Sequence, residues 1–245
     1  MPTIVRDGTT LAYEERGTGE PALVFVHGWT CDRSFFAPQA EHFVRRPRVV
    51  SVNLRGQCES DKPPGRYPIA AHAEHIAYII EELGLGKTVA VGHSMGGMIV
   101  LQLAAAHPDG VAAIVMVDST LVFSPERRAA FLAVAVGIEA GDHGSRTQFI
   151  KSMFIPTSDQ RLVENVTAVM LAAPPHIAAA AIRGALEFDC QAAAALCKAP
   201  ALHLAAIPAA HAATVDNGAA AEPHQRLHRR CRHFNQLEVP DRRMR

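Results

Sequence analysis

Thr88-Val89-Ala90-Val91-Gly92-His93-Ser94-Met95-Gly96-Gly97, followed by the apolar run Met98–Ala106, is the stretch on which the fold turns. Thr88–Val91 is a short β-branched and apolar run, the pattern of a strand buried on both faces. Met98–Ala106 is rich in good helix formers and stops at His107-Pro108. Between them lies Gly92-x-Ser94-x-Gly96 at a strand-to-helix junction, the context that gives this motif a mechanism. A hydroxyl carried on so sharp a bend sits in strained backbone, and only very small residues fit two positions to either side. The bend lifts the Ser94 hydroxyl clear of the sheet and sets it at a helix N-terminus, where free N–H groups favour negative charge. Ser94 is the candidate nucleophile.

The same rhythm extends outward in both directions. Upstream, Ile4–Arg6 and Thr10–Glu15 flank Asp7-Gly8, a dipeptide that favours a tight hairpin turn. Ala22–Val26 and Arg48–Asn53 read as further buried strands, and Ile69–Leu83 as a helix stopped by Gly84. Downstream, Val111–Val117 is a strand closing on Asp118. Solid apolar strands alternating with helices predict an α/β fold: a mostly parallel central sheet with helices on both faces. After Ser119 the rhythm changes. Pro125–Glu187 reads as helix after helix, broken at Gly141-Asp142, Pro156 and Pro174-Pro175, before Ala199–Ala205 restores a strand. The expected organisation is a core formed by residues 1–119 and 186–245, with a helical cap, residues 120–185, inserted over the sheet.

Composition narrows the function classes. The 245 residues suffice for one domain with a sizeable core, and 49% hydrophobic with 20% charged is ordinary for a globular chain. Lys plus Arg and Asp plus Glu both number 24, so no overall field would gather nucleic acid or an anionic membrane. Small molecules are the expected ligands, with neither nucleic acid nor membrane as partner. Five cysteines without paired spacing argue against a disulfide framework, and no leader-like or spanning apolar run is visible, so a cytoplasmic location is expected. The 13 histidines contain no clear metal-ligand set; neither metal nor cofactor is expected. His224 and His228 stand four apart, but no Glu pairs with them in a helical zinc motif.

His27-Gly28-Trp29 follows the strand Ala22–Val26, where a second oxyanion donor is needed. The expected pair of donors is the backbone N–H of Trp29 and of Met95. Together, Gly92-His93-Ser94-Met95-Gly96-Gly97, His27-Gly28-Trp29 and the loop Leu54–Pro63 resemble the α/β-hydrolase superfamily, particularly its small bacterial esterase-like members. The likeness is strong to about residue 120 and patchy near the C-terminus. The chain departs from the family at Asn53, where Asp is usual, and at Gln57-Cys58, where His-Gly is usual; these positions shape a loop.

Chain order in this fold is nucleophile, acid, histidine, so the base belongs near the C-terminus. His203, His211, His224, His228 and His233 are candidates, and the segment His233-Phe234-Asn235-Gln236-Leu237-Glu238-Val239-Pro240 resembles the family's His-Phe-x-x-x-Glu-x-Pro signature. That resemblance carries the base role to His233. His93 reads as a packing residue and His27 as a brace for its own loop. For the acid, the usual place after the strand at Ala201–Ala205 is vacant, holding Ile207, Pro208 and Ala209. Asp118 at the end of its strand is favoured, Asp216 is the alternative, and Asp189 and Glu222 are lesser candidates. The segment His224–His233 is polar and basic where the core's last strand should be apolar.

A serine at the bend, rather than an aspartate, points to acyl chemistry through a covalent intermediate. The expected activity is hydrolysis of small carboxylic esters or lactones. C–C bond hydrolysis or perhydrolysis on the same residues is the competing enzymatic reading; a non-catalytic receptor for a small ligand is the reading from another class. Phe131, Phe149, Met153, Phe154 and Met170 in the insertion are candidates for an apolar pocket, although each alone reads more simply as packing of the insertion's own core.

Overall fold

The computed structural model describes residues 1–206, 224–228, 233–234 and 237, with backbone alone for 206 and 224–228. Asp216, Glu222, His211 and Cys231 lie outside the described residues.

The first two strands, β1 (Thr3–Arg6) and β2 (Thr9–Arg16), form an antiparallel hairpin. Its turn uses Asp7 and Gly8 at φ 48° and 73°, the left-handed pair that matches strand twist. Then come β3 (Leu23–Val26), a 3-10 turn (Arg33–Phe36), α1 (Ala37–Phe43), β4 (Val49–Val52), α2 (Ile69–Glu82), β5 (Thr88–His93), α3 (Met95–Ala106) and β6 (Val111–Val117). Four helices follow without a strand between them: α4 (Pro125–Glu139), α5 (His143–Lys151), α6 (Gln160–Ala172) and α7 (Pro175–Glu187). α8 (Cys190–Leu196), β7 (Ala201–Ala206) and β8 (His224–His228) complete the described elements.

The eight strands form one sheet in the order β1-β2-β4-β3-β5-β6-β7-β8. β1, β2 and β4 pair antiparallel, and every other pairing is parallel. Alternate residues of the central strands enter two separate apolar clusters. Val24, Val26, Val50, Val52 and Ala90 join the large core with the helices α2, α3 and α7. Phe25 and Val49, with the partly buried Leu23 and Val91, join a smaller one with Phe36 and Ala40, where Phe25 stacks on Phe36 with ring centroids 4.8 Å apart. Side chains alternate across a strand, so apolar partners on both faces explain why these strands are solid apolar runs.

Two elements differ from the sequence reading. α3 starts at Met95, immediately after Ser94, and not at Met98: Gly96 and Gly97, poor helix formers elsewhere, sit in its first turn, where the Val26 and His27 carbonyls crowd Gly96 and the Ser119 side chain crowds Gly97. The polar His224–His228 is strand β8, and it lies at the sheet's edge. An edge position tolerates, and is protected by, polar and charged residues that a central strand could not carry.

Candidate active site

Four of the five described non-glycine residues with positive φ follow the carboxyl ends of β3, β4, β5 and β6: Thr30, Cys58, Ser94 and Asp118. Ligands of open α/β sheets bind outside these strand ends, and backbone strain collects where surrounding structure imposes a geometry.

Ser94 sits at φ 54°, ψ −116°, between β5 and α3. The bend is tied down by its own N–H, which donates to the Val117 carbonyl at 2.9 Å, and by Gly97 N–H, which donates to the Ser94 carbonyl at 2.9 Å. The glycines are required sterically. A Cβ on Gly92 would lie 2.1 Å from the Gly96 carbonyl oxygen, and one on Gly96 would lie 2.2 Å from the Val26 carbonyl oxygen. The first turn of α3 is thus pressed against the ends of β5 and β3, which exposes the N-terminus of the helix beside the serine. Met95 is the first residue of α3, a position with no acceptor inside its helix.

Across from it, Gly28 brings the loop after β3 within reach: its absent Cβ would lie 3.2 Å from Ser94 Cβ and 3.0 Å from His93 Nδ1. The backbone of Trp29 therefore follows directly from a residue in contact with the bend. His27, fully buried, fixes this loop. Its Nδ1–H donates to the Gly28 carbonyl at 2.9 Å and its Nε2 accepts from Leu54 N–H at 3.1 Å. Burial brings its pKa down to about 4, so it stays neutral and keeps that one tautomer. Trp29 is anchored at its other end, where the indole N–H donates to the Ala178 carbonyl of α7 at 2.8 Å.

Asp118, 3% exposed, ends β6 at φ 46°, with its N–H donating to the Leu204 carbonyl at 2.7 Å. His233 Nδ1 lies 2.9 Å from Asp118 Oδ2. A carboxylate only accepts, so Nδ1 carries the proton and Nε2 is left with its lone pair. Phe234 explains how the histidine is held. It is fully buried, stacked on Phe154 at 4.9 Å and edge-on to Phe35 at 5.8 Å. The His233 N–H donates to the Met153 carbonyl at 3.3 Å. The His233 ring lies against that of His93, centroids 4.7 Å apart, and His93 Nε2–H donates to the His233 carbonyl at 2.7 Å. His93 is thus more than packing, a role the sequence reading missed. Its partner stands 140 positions away, and no local pattern announces it.

The other candidates fall elsewhere. His203 lies on β7, buried, with its pKa lowered chiefly by burial against an opposing pull from Asp118. Asp189 accepts from the N–H groups of Gln191 and Ala192 at the start of α8, an N-cap. Asn53 is buried, accepts from Arg33 N–H at 3.0 Å and donates to Glu59. No group of three or more His, Cys, Asp or Glu that could hold a metal occurs among the described residues.

The helices α4–α7 supply one wall. Rings run in edge-on contact from Phe123 to Phe131 at 5.3 Å, to Phe149 at 5.1 Å and to Trp29 at 5.6 Å. This places Phe131 and Phe149 beside the loop after β3, whereas Met170 is buried packing at 1% exposure. Chemically, the strand ends gather a hydroxyl on a strained bend, an imidazole oriented by a buried carboxylate, and backbone N–H groups at a helix start, under an apolar cover.

Comparisons with known proteins agree with this architecture. A chain named carbamate hydrolase RutD, from Caulobacter vibrioides, is 31% identical over 189 residues, 73% of this chain and 70% of that one. A 2-(acetamidomethylene)succinate hydrolase from Mesorhizobium japonicum is 36% identical over 111 residues, spanning 45% of this chain and 40% of its own length. The solved structure of a thermophilic esterase from Thermogutta terrifontis superposes with a TM-score of 0.84 at 26% identity, covering 99% of this chain and 93% of the other. The family model of the alpha/beta hydrolase fold matches residues 21–165. With that match spanning more than half of its length, this chain belongs to the alpha/beta hydrolase fold family and is, at that level of description, a hydrolase.

Proposed function

We propose that this protein is a serine hydrolase that cleaves small carboxylic esters or lactones through an acyl-enzyme on Ser94. The observation that carries the reading is the 2.9 Å contact between His233 and Asp118, formed beside a strained serine bend. In this reading His233 Nε2 takes the Ser94 proton as the oxygen attacks the carbonyl carbon, then returns it to the leaving alkoxide. Asp118 holds the imidazole in the required tautomer and stabilises the imidazolium. The N–H groups of Trp29 and Met95 receive the oxygen that becomes negative, an interaction worth about 3 kcal/mol per donor. Water then attacks the acyl-enzyme with His233 as its base, regenerating Ser94 and releasing the acid.

The relatives' names support the acyl class of chemistry: a carbamate hydrolase and an esterase both act at a carbonyl bearing a heteroatom leaving group. Phe131, Phe149 and Trp29 favour an apolar acyl or aryl group over a highly charged one. The test is labelling with a fluorophosphonate, mapping of the labelled peptide, and turnover of p-nitrophenyl acetate. Ser94→Ala should abolish both, and Asp118→Asn should lower kcat by on the order of a thousandfold or more with the fold intact. Labelling at another serine, or an Asp118→Asn variant as active as the parent, would overturn the assignment.

A further inference from the structure

We propose that His93 is a positioning residue: a neutral imidazole wedged between the oxyanion loop and the catalytic base, whose Nε2–H holds the His233 main chain so that its ring stays on Asp118. The inference rests on the assignment of His233 as base.

Four contacts carry it. On one side, Gly28 approaches so closely that a Cβ would stand 3.0 Å from His93 Nδ1. On the other, His93 Nε2 lies 2.7 Å from the His233 carbonyl oxygen. A carbonyl cannot donate, so the proton sits on Nε2, and Nδ1 is correspondingly left without a partner among the described residues. The ring also touches Phe234 at 5.6 Å and His233 itself at 4.7 Å. His93 is fully buried, so water cannot substitute for the bond if it is lost. Apart from the His233 N–H, which donates to the Met153 carbonyl, this is the hydrogen bond that, among the described residues, fixes the His233 backbone, and it ties it to the core sheet, since His93 is the last residue of β5.

The protonation state matters. With both nitrogens charged, Nδ1–H would point at the Gly28 backbone loop with no acceptor and would add a positive charge beside His233. Burial and the neighbouring His233 prevent this by lowering the His93 pKa to about 3.

Freed from this bond, the His233 main chain can shift, and a displacement of about 1 Å in a proton-transfer geometry is worth on the order of a hundredfold in rate. The prediction is a split between kinetic constants. His93→Phe keeps the ring volume without the donor; it should lower kcat on p-nitrophenyl acetate by about ten- to a hundredfold while KM stays within about twofold. His93→Gln can return an amide N–H toward the His233 carbonyl and should recover most of the loss. Urea unfolding of each variant separates misplacement from unfolding.

A second measurement does not depend on turnover. In the parent, the His233 Nδ1 proton, hydrogen bonded to Asp118, should give a downfield proton resonance in spectra of 15N-histidine-labelled protein. It should vanish in His93→Phe and return in His93→Gln. If His93→Phe folds with parental kcat and an undisturbed resonance, or if Phe and Gln lose activity equally, the positioning role is wrong. If the parent fails to hydrolyse any ester while the resonance still responds to His93, the ester-hydrolase reading fails and the positioning of His233 by His93 stands.

Discussion

At the scale of single residues, the site is governed by what small side chains permit. Gly96 illustrates the strength of the requirement. Its missing Cβ would meet two main-chain oxygens, of Val26 at 2.2 Å and His27 at 2.6 Å, and backbone cannot retreat as a flexible side chain can. Gly96→Ala, harmless in most helices, should therefore cost more than the roughly 1–3 kcal/mol of ordinary overpacking, seen as a large drop in the urea midpoint or as insoluble expression. A melting curve like the parent's would show that α3 can slide away from β3. The glycine spacing is readable from sequence because the motif reports this crowding directly. The acid is not readable in the same way. Sequence position favours Asp118 over Asp216 only by analogy, and the contact of Asp118 with His233 joins positions 115 apart. His93 is hidden for the same reason: a histidine beside a serine looks alike whether it packs or holds another chain segment.

At the scale of elements, the strands were legible and the helix starts less so. Val24, Val50 and Ala90 lie in short, mostly apolar and β-branched runs, the pattern of a sheet covered on both faces. β8 escaped because an edge strand needs no such run, and α3 because propensity places Gly96 and Gly97 outside a helix when tertiary crowding places them inside. Within α4–α7, Arg146 shows how one buried cation organises a helix end. Its guanidinium is 3% exposed and donates to the carbonyls of Met170 at 2.5 Å and Ala173 at 3.0 Å, the C-terminus of α6. Those oxygens have no partner inside their helix, and the partial negative charge there suits a cation. Arg146→Met should destabilise the protein by about 1–3 kcal/mol, measured by urea unfolding, and should raise proteolysis near Ala173-Pro174-Pro175 first. Equal stability would mean that main-chain rearrangement satisfies the carbonyls without help.

Over the whole molecule, buried histidines set the response to acid. His27, His72 and His93 are each buried and neutral, with pKa values brought from 6.5 to about 4, about 3 and about 3, in each case chiefly by loss of hydration. In the unfolded chain these imidazoles bind protons near pH 6.5, whereas in the fold they do so only well below pH 5. Between those limits the unfolded state holds more protons, so stability rises with pH and drains away as pH falls from 6.5 toward 4. Each such group contributes at most about 1.4 kcal/mol per pH unit. The urea midpoint should therefore fall steeply from pH 7 to pH 5. His72 isolates the effect, because both of its ring nitrogens lack hydrogen bonds among the described residues. His72→Leu should flatten the slope by about one proton; an unchanged slope would place the acid sensitivity elsewhere.

The anchorage of His233 has a mechanical consequence. Its amide is hung from Met153 and its neighbour Phe234 is clasped by Phe154, both in the link between α5 and α6. The main chain of His233 is thereby fastened to that link and to the end of β5 at once. An outward swing of that link would tug the imidazole off its carboxylate, so the seating of the link and the pairing of His233 with Asp118 are coupled.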